Sequence, residues 1–309
     1  MYHYMGSHNA TLPYFRYMHI NDFEKQLDYF GENYRFISKN EFKESIFLAK
    51  PIDDGIILTF DDGFKDHYQN VLTELKKRNI WGIFYIPTAP YQTGKLLDVH
   101  RLHLLIGKWG GKKIFRSLTN IISESMLSHT HVHGFRTQTY RTQTNDEYTK
   151  HVKRTLNYYI SYEYRERVID ALMAQFFPDE TKLVQQFYLS REEIKEMSET
   201  GMIIGSHTVN HLCMSKLEVE KQESEIVDSF NYLRSIIGNF EFKTFCYPYG
   251  GFHSFTKDTE LLLEKVDCDF SFNVEPRNIN NKDLSERKQA LPRFDCNMFP
   301  YGLCRPVEV

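Results

Sequence analysis

Asp61 and Asp62 stand side by side in Thr59-Phe60-Asp61-Asp62-Gly63, and His207 and His211 stand four apart in Ser206-His207-Thr208-Val209-Asn210-His211. Each segment follows an apolar run, Ile56-Ile57-Leu58 and Met202-Ile203-Ile204, that reads as a buried strand. One carboxylate and two imidazoles make a ligand set for a divalent cation, and the second carboxylate is left over as a base. That is the equipment of a metal-assisted hydrolase. Neither segment decides alone, because Asp-Asp-Gly after a strand also serves as a plain turn or helix cap. Spacing alone is equally weak. Random placement of thirteen His in 309 residues gives about half a His-x3-His pair. The chain has two, His207/His211 and His129/His133. Only the first follows an apolar run and a Gly-Ser turn; the second sits in the polar stretch Ser128–Gly134.

The elements that must position these residues alternate along the chain. Strands are expected at Tyr2–Met5, Tyr34–Ile37, Gly55–Phe60, Gly82–Pro87, Met202–Gly205, Thr244–Tyr247, Cys268–Asn273 and Ala290–Phe294. Between them lie amphipathic helices at Asp22–Gly31, Asp66–Arg78 and Thr256–Val266. Capping signatures at Ser38/Glu41, Ser190/Glu193 and Ser215/Glu218 open three more, which stop before Gly201 and Gly238 in the last two cases. From about residue 88 to 186 the rhythm breaks. This stretch is polar, with helices at Arg101–Lys108, Glu147–Ile160 and Arg165–Phe177 and a Thr/Gln/Arg-rich run at Arg136–Thr144. We read it as a mostly helical insertion into one domain spanning 1–309. Strand–helix alternation at this length implies a parallel α/β barrel or a doubly wound sheet. In a barrel the chemistry gathers at the strands' C-terminal ends, where Asp61/Asp62, His207/His211, Pro248/Tyr249 and Arg293 all fall.

Bulk properties narrow the class. The formal net charge of −3, with no long basic run, argues against nucleic acid as a partner. Aromatic content of 15% suits core packing first and a sugar-binding cleft second. Met1–Ala10 lacks the basic and apolar regions of a signal peptide, and no run approaches the roughly 18 apolar residues of a membrane span. Five Cys (Cys213, Cys246, Cys268, Cys296 and Cys304) lack metal-ligand spacing and suit a reducing compartment as buried thiols. The expectation is a cytoplasmic, soluble protein, with peripheral contact at a membrane left open.

Thr59–Gly63, His207–His211 and Pro248-Tyr249-Gly250, in this order, resemble the three motifs of the polysaccharide deacetylases, the NodB-homology carbohydrate esterases. The resemblance covers about 1–90 and 187–300 and leaves the insertion outside. It implies a distorted (β/α)7 barrel and removal of an N-acetyl group from an amino sugar. Carried over residue by residue, it implies Asp61 as the base that activates water. Asp62, His207 and His211 become the ligands of a divalent metal, Zn²⁺ first and Co²⁺ or Ni²⁺ next. The backbone N–H of Tyr249, after Pro248, becomes the oxyanion donor. Three protein ligands leave positions open for water and the amide carbonyl, so the assembly is chemically coherent.

The chain departs from the pattern twice. An Arg that orients the catalytic Asp is expected two residues before Pro248, where Cys246 stands; Arg293, in Leu291-Pro292-Arg293-Phe294, is the candidate replacement. It could equally form a plain surface pair with Asp295. A C-terminal His that protonates the leaving amine is also missing, and His3 is the candidate, with His253 as fallback and a satisfied barrel His as the bland alternative. The expected substrate is an N-acetyl or N-formyl sugar, free or nucleotide- or lipid-linked, in surface-glycan or glycoconjugate assembly. The rival is a catalytically silent barrel that binds glycan.

Overall fold

In the computed structural model, residues 1–7, 9–48, 50, 54–128, 139, 145–177 and 180–305 are described. The His129/His133 pair and, apart from Thr139, the Arg136–Thr144 run lie outside them. The chain divides into two compact units. The first comprises Met1–Ser7, Tyr17–Thr93 and Gln185–Cys304, and the second comprises His8–Arg16, Gly94–Val184 and Arg305–Val309.

The first unit is built on a curled parallel sheet flanked by helices, a distorted (β/α)7 half-barrel. A short parallel pair, β1 (Met5–Gly6) and β2 (Met18–His19), precedes it. The main sheet runs β3 (Leu58–Asp61), β4 (Gly82–Ile86), β5 (Ile203–Ser206), β6 (Thr244–Cys246) and β7 (Phe270–Phe272), paired in sequence order and all parallel. Single parallel bridges, Tyr2 to Phe60 and Phe272 to Leu291, add one strand position at each edge. Met1 closes towards the far edge, donating to Phe294 O and accepting from Cys296 N–H.

Every residue of β3, β4 and β5 is buried, because helices cover one face and the barrel interior the other. Alternation sorts the side chains. Leu58, Phe60, Phe84, Ile86 and Ile204 pack outward among Phe23, Leu75 and Met197 of the helices. Ile83, Tyr85, Ile203, Cys246, Phe270 and Phe272 fill the interior. Gly205 is required in β5: a Cβ there would lie 2.5 Å from the Tyr85 ring, whose hydroxyl reaches Thr244 Oγ1 at 2.8 Å. The same inward parity carries Asp61 and His207 to the interior's C-terminal rim.

Most helices lie where periodicity puts them, and the Ser190–Glu193 box caps Arg191–Glu199 as expected. Three local expectations change. Tyr34–Ile37 and Ala290–Phe294 make isolated bridges rather than ladders. Ser215 does not cap the long helix, which runs Val219–Ile237 from Glu218; its hydroxyl donates instead to His253 O at 2.7 Å. The helix after β3 opens with a π-turn, His67–Val71, before Leu72–Lys77. That wider turn accompanies a wholly buried His67, whose Nε2 donates to His3 O at 2.8 Å.

The second unit is helical. Asp98–Trp109, Gly111–Thr119, Glu147–Arg154 and Tyr162–Phe176 bury Leu102, Leu105, Ile114, Val152, Ile169 and Leu172 in a core of their own. Gly111 allows close helix packing, since a Cβ would meet Thr149 Oγ1 at 2.1 Å. No helix of the described residues is long and apolar enough to cross a membrane.

Candidate active site

The rim is shaped by loops that turn sharply as they leave the strands. Asp62, Thr208, His211 and Tyr249 are non-glycine residues at positive φ (79°, 66°, 53° and 67°). Such backbones cost energy and persist where surrounding contacts hold them. Gly250, at φ 58°, must remain bare because a Cβ would lie 2.2 Å from Val274 Cγ2.

Two buried groups meet there. Asp62, His207 and His211 each offer one ligand atom, all within 4.8 Å of one another. Asp62 Oδ1 lies 3.5 Å from His207 Nε2 and 3.2 Å from His211 Nε2. A tetrahedral ion with ligand bonds near 2.1 Å has ligand–ligand edges of about 3.4 Å, so these separations suit one. His207 Nδ1 donates to Cys246 O at 2.7 Å, which fixes the tautomer and turns the Nε2 lone pair towards Asp62. Burial first, then the neighbouring His211, pushes His207 down to about 4. It is therefore neutral at pH 7, as a metal ligand must be. The cluster can chelate a divalent metal.

The second group is Asp61 with Arg293. Arg293 Nη1 and Nη2 donate to Asp61 Oδ1 and Oδ2 at 2.8 and 2.7 Å, and Nη1 also reaches Thr59 Oγ1 at 3.0 Å. Both side chains are buried. Burial pushes the Asp61 carboxyl up, but Arg293, then His207, outweigh it and hold it well below the usual carboxylate range. Cys246 sits between them, its Sγ 3.0 Å from Arg293 Nη2 and 3.6 Å from Asp61 Oδ2, with burial pushing the thiol far up. With His207 and Asp61 it makes a second cluster of ligand atoms. A neutral thiol thus leaves room where a guanidinium arrives from the neighbouring edge.

His3 reaches the site from the loop between Tyr2 and β1, its Nε2 3.9 Å from Asp61 Oδ2 and its side chain 42% exposed. Tyr249 packs its ring edge-on to His211 at 5.0 Å, after the buried Pro248. His253 belongs to neither ligand group.

Glu225 was not anticipated. From inside the Val219–Ile237 helix its buried carboxylate accepts from Val209 N–H (3.0 Å), Asn210 N–H (2.7 Å) and Asn210 Nδ2 (2.6 Å). It clamps the loop joining the two histidines. Its signal was periodicity: Gln222, Glu225, Ser229 and Leu233 share the helix's buried stripe, and an acid there needs a partner.

A family profile described as polysaccharide deacetylase matches residues 170–270, about a third of the chain, including the His pair and the Pro-Tyr-Gly turn. Over that stretch the chain is similar to the polysaccharide deacetylases. YxkH of Bacillus subtilis (strain 168), which carries that family's name, is 29% identical over 89 residues. The match spans 29% of this chain and only 30% of YxkH. Three solved structures share the fold. The deacetylase PplD of Streptococcus pyogenes, in complex with acetate, has a TM-score of 0.56 at 15% identity, covering 95% of this chain and 88% of that one. A de-N-acetylase from Aggregatibacter actinomycetemcomitans scores 0.52 at 12% identity, covering 95% and 92%. A polysaccharide deacetylase of Bacillus cereus scores 0.52 at 15%, covering 95% and 62%.

Proposed function

We propose that this protein is a metal-dependent hydrolase that removes an N-acetyl or N-formyl group from an amino sugar during surface-glycan or glycoconjugate assembly. The observation that carries the reading is the adjacency of the two buried groups, a His₂Asp cluster and an arginine-locked carboxylate, joined through His207 and Cys246 on one barrel rim.

Asp62, His207 and His211 would hold a divalent ion, Zn²⁺ first, which when bound would supply Lewis acidity to an amide carbonyl and lower the pKa of water. Asp61 takes the proton of the attacking water, and Arg293 keeps both carboxylate oxygens in place for that transfer. The Tyr249 N–H, in its left-handed turn, stabilises the oxyanion. His3, partly exposed beside Asp61, returns a proton to the leaving amine. The carrier is a nucleotide or lipid, or the sugar is free, and the protein works in the cytoplasm. The second unit is a helical insertion in one catalytic domain.

The test is acetate and formate release from a panel of N-acyl sugars by metal-reconstituted protein. Release that needs metal and disappears in Asp61→Asn supports the reading. Bound metal at unit stoichiometry with no release from any N-acyl sugar points instead to a silent glycan-binding barrel.

A further inference from the structure

Charge is segregated along this chain in a way that its deacetylase chemistry does not use. The first unit holds 22 Lys/Arg against 31 Asp/Glu, whereas the second holds 16 against 10. A chain of formal charge −3 therefore carries a second unit with an excess of six positive charges.

Part of that excess gathers on one short stretch. Lys108 ends the Asp98–Trp109 helix, and Lys112, Lys113 and Arg116 follow on Gly111–Thr119. Among the described residues none of these four has a carboxylate within 4.0 Å, although the unit's buried Arg101 takes Asp98, Asp170 and Glu180. Of the unit's other acids, Glu147 and Glu166 pair at the surface with Lys150 and Lys95, so neither neutralises these four cations. Lys112, Lys113 and Arg116 are exposed, while Ile114 and Leu118 of the same helix face the core.

Aromatic rings are interleaved with these cations. Lys113 Nζ lies 3.8 Å from the Trp109 ring centroid, Lys108 Nζ 4.9 Å from Phe177 and Lys112 Nζ 5.9 Å from Tyr148. Tyr148 is 42% exposed, and Tyr14, packed over Gly110, is 54% exposed. Exposed tyrosines among lysines match an interface that is charged at its surface and apolar just below.

We infer that this face of the helical unit docks the protein on an anionic lipid bilayer, with lysine and arginine meeting the phosphates and Tyr14 and Tyr148 seated among the headgroups. A free polyanion would satisfy the cations but has no use for the tyrosines. The inference is independent of the hydrolase reading and survives its failure.

The experiment is sedimentation of the full chain with phosphatidylcholine vesicles, with and without about one-third phosphatidylglycerol, at low and physiological salt. Wild type should bind the anionic vesicles, ignore the neutral ones and weaken with salt. Each cation near an anionic surface is worth about fivefold in affinity, so Lys112→Gln/Arg116→Gln should lose about 25-fold. Adding Lys108→Gln and Lys113→Gln should take the loss to several hundredfold. The two-site variant, away from the Trp109 and Phe177 contacts, keeps the test sound if the four-site variant fails to fold. Tyr14→Ser/Tyr148→Ser should weaken binding further at high salt, where the charges are screened. No wild-type binding at low salt overturns the inference, as does equal binding by the two-site variant. Capture by inorganic polyphosphate without capture by vesicles overturns it as well.

Discussion

Arg293→Met removes the guanidinium from Asp61 while keeping much of the side chain's bulk. Both partners are buried, and the pair is bidentate at 2.8 and 2.7 Å. Stripping one partner from such a pair typically costs about 3–5 kcal/mol, chiefly because the other charge is stranded. For a protein of this size the loss corresponds to a fall in Tm of roughly 5–10 °C. The pH dependence identifies the cause. In wild type the depressed Asp61 carboxyl stabilises the fold above its unfolded pKa, near 4, and that contribution is lost as pH falls through the folded value. In the variant, burial acts against only the weaker help of His207 and His3, and the folded pKa moves up. The ionised carboxylate then destabilises at neutral pH and is relieved as acid protonates it. Thermal melts of chelator-treated protein between pH 4 and 8 should therefore show a gap that is widest near pH 7 and narrows towards pH 4. Asp61→Asn/Arg293→Met should regain part of the loss, showing that the two sites are coupled. In the metal-loaded enzyme the acid limb of kcat/KM should move to higher pH. A gap that stays constant with pH, or no gap, would refute the reasoning.

Asp61→Asn should keep its metal yet lose about 10²–10⁴-fold in turnover, whereas Asp62→Asn should lose the metal; elemental analysis beside the activity assay separates them. Glu225→Ala leaves the Val209 and Asn210 N–H groups without their carboxylate and should cost about 3 kcal/mol. It should also weaken zinc affinity, and Glu225→Gln, which retains an acceptor for the two N–H groups, should recover most of both in calorimetry. His67 and His207 are each held near 4, so the unfolded chain gains protons that the folded one refuses as pH falls from about 6.5 to 4. Metal-free protein should lose stability across that window in denaturant titrations. Gly250→Ala forces a Cβ to within 2.2 Å of Val274 Cγ2 at a positive φ and should lower Tm by several degrees; Val274→Ala should restore only the steric part.

What was legible in the chain follows from range. β3 to β7 are short apolar runs with turn residues at their ends, so the rim positions of Asp61, Asp62, His207 and His211 could be read locally. The edges could not. Tyr2 and Leu291 join the sheet by single bridges, a choice made by tertiary packing rather than by β propensity. Arg293 was visible as a candidate, but its approach to Asp61 across 232 residues is a property of the closed barrel. Glu225 was missed because its place on the helix's buried stripe calls for a partner without saying which, and the loop of Val209 and Asn210 that supplies it is brought there by the fold. The His8–Arg16 segment belongs with the second unit through Tyr14, whose N–H donates to Gly107 O, and nothing local to residues 9–16 announces that contact.

The central claim is that Asp62, His207 and His211 grip a single divalent ion beside Asp61. Calorimetric titration of chelator-treated protein with Zn²⁺ tests it most directly. The structure predicts one site per chain, present in wild type and Asp61→Asn and lost in Asp62→Asn and His207→Gln. Zinc that fails to bind wild type, or binds Asp62→Asn unchanged, would contradict it.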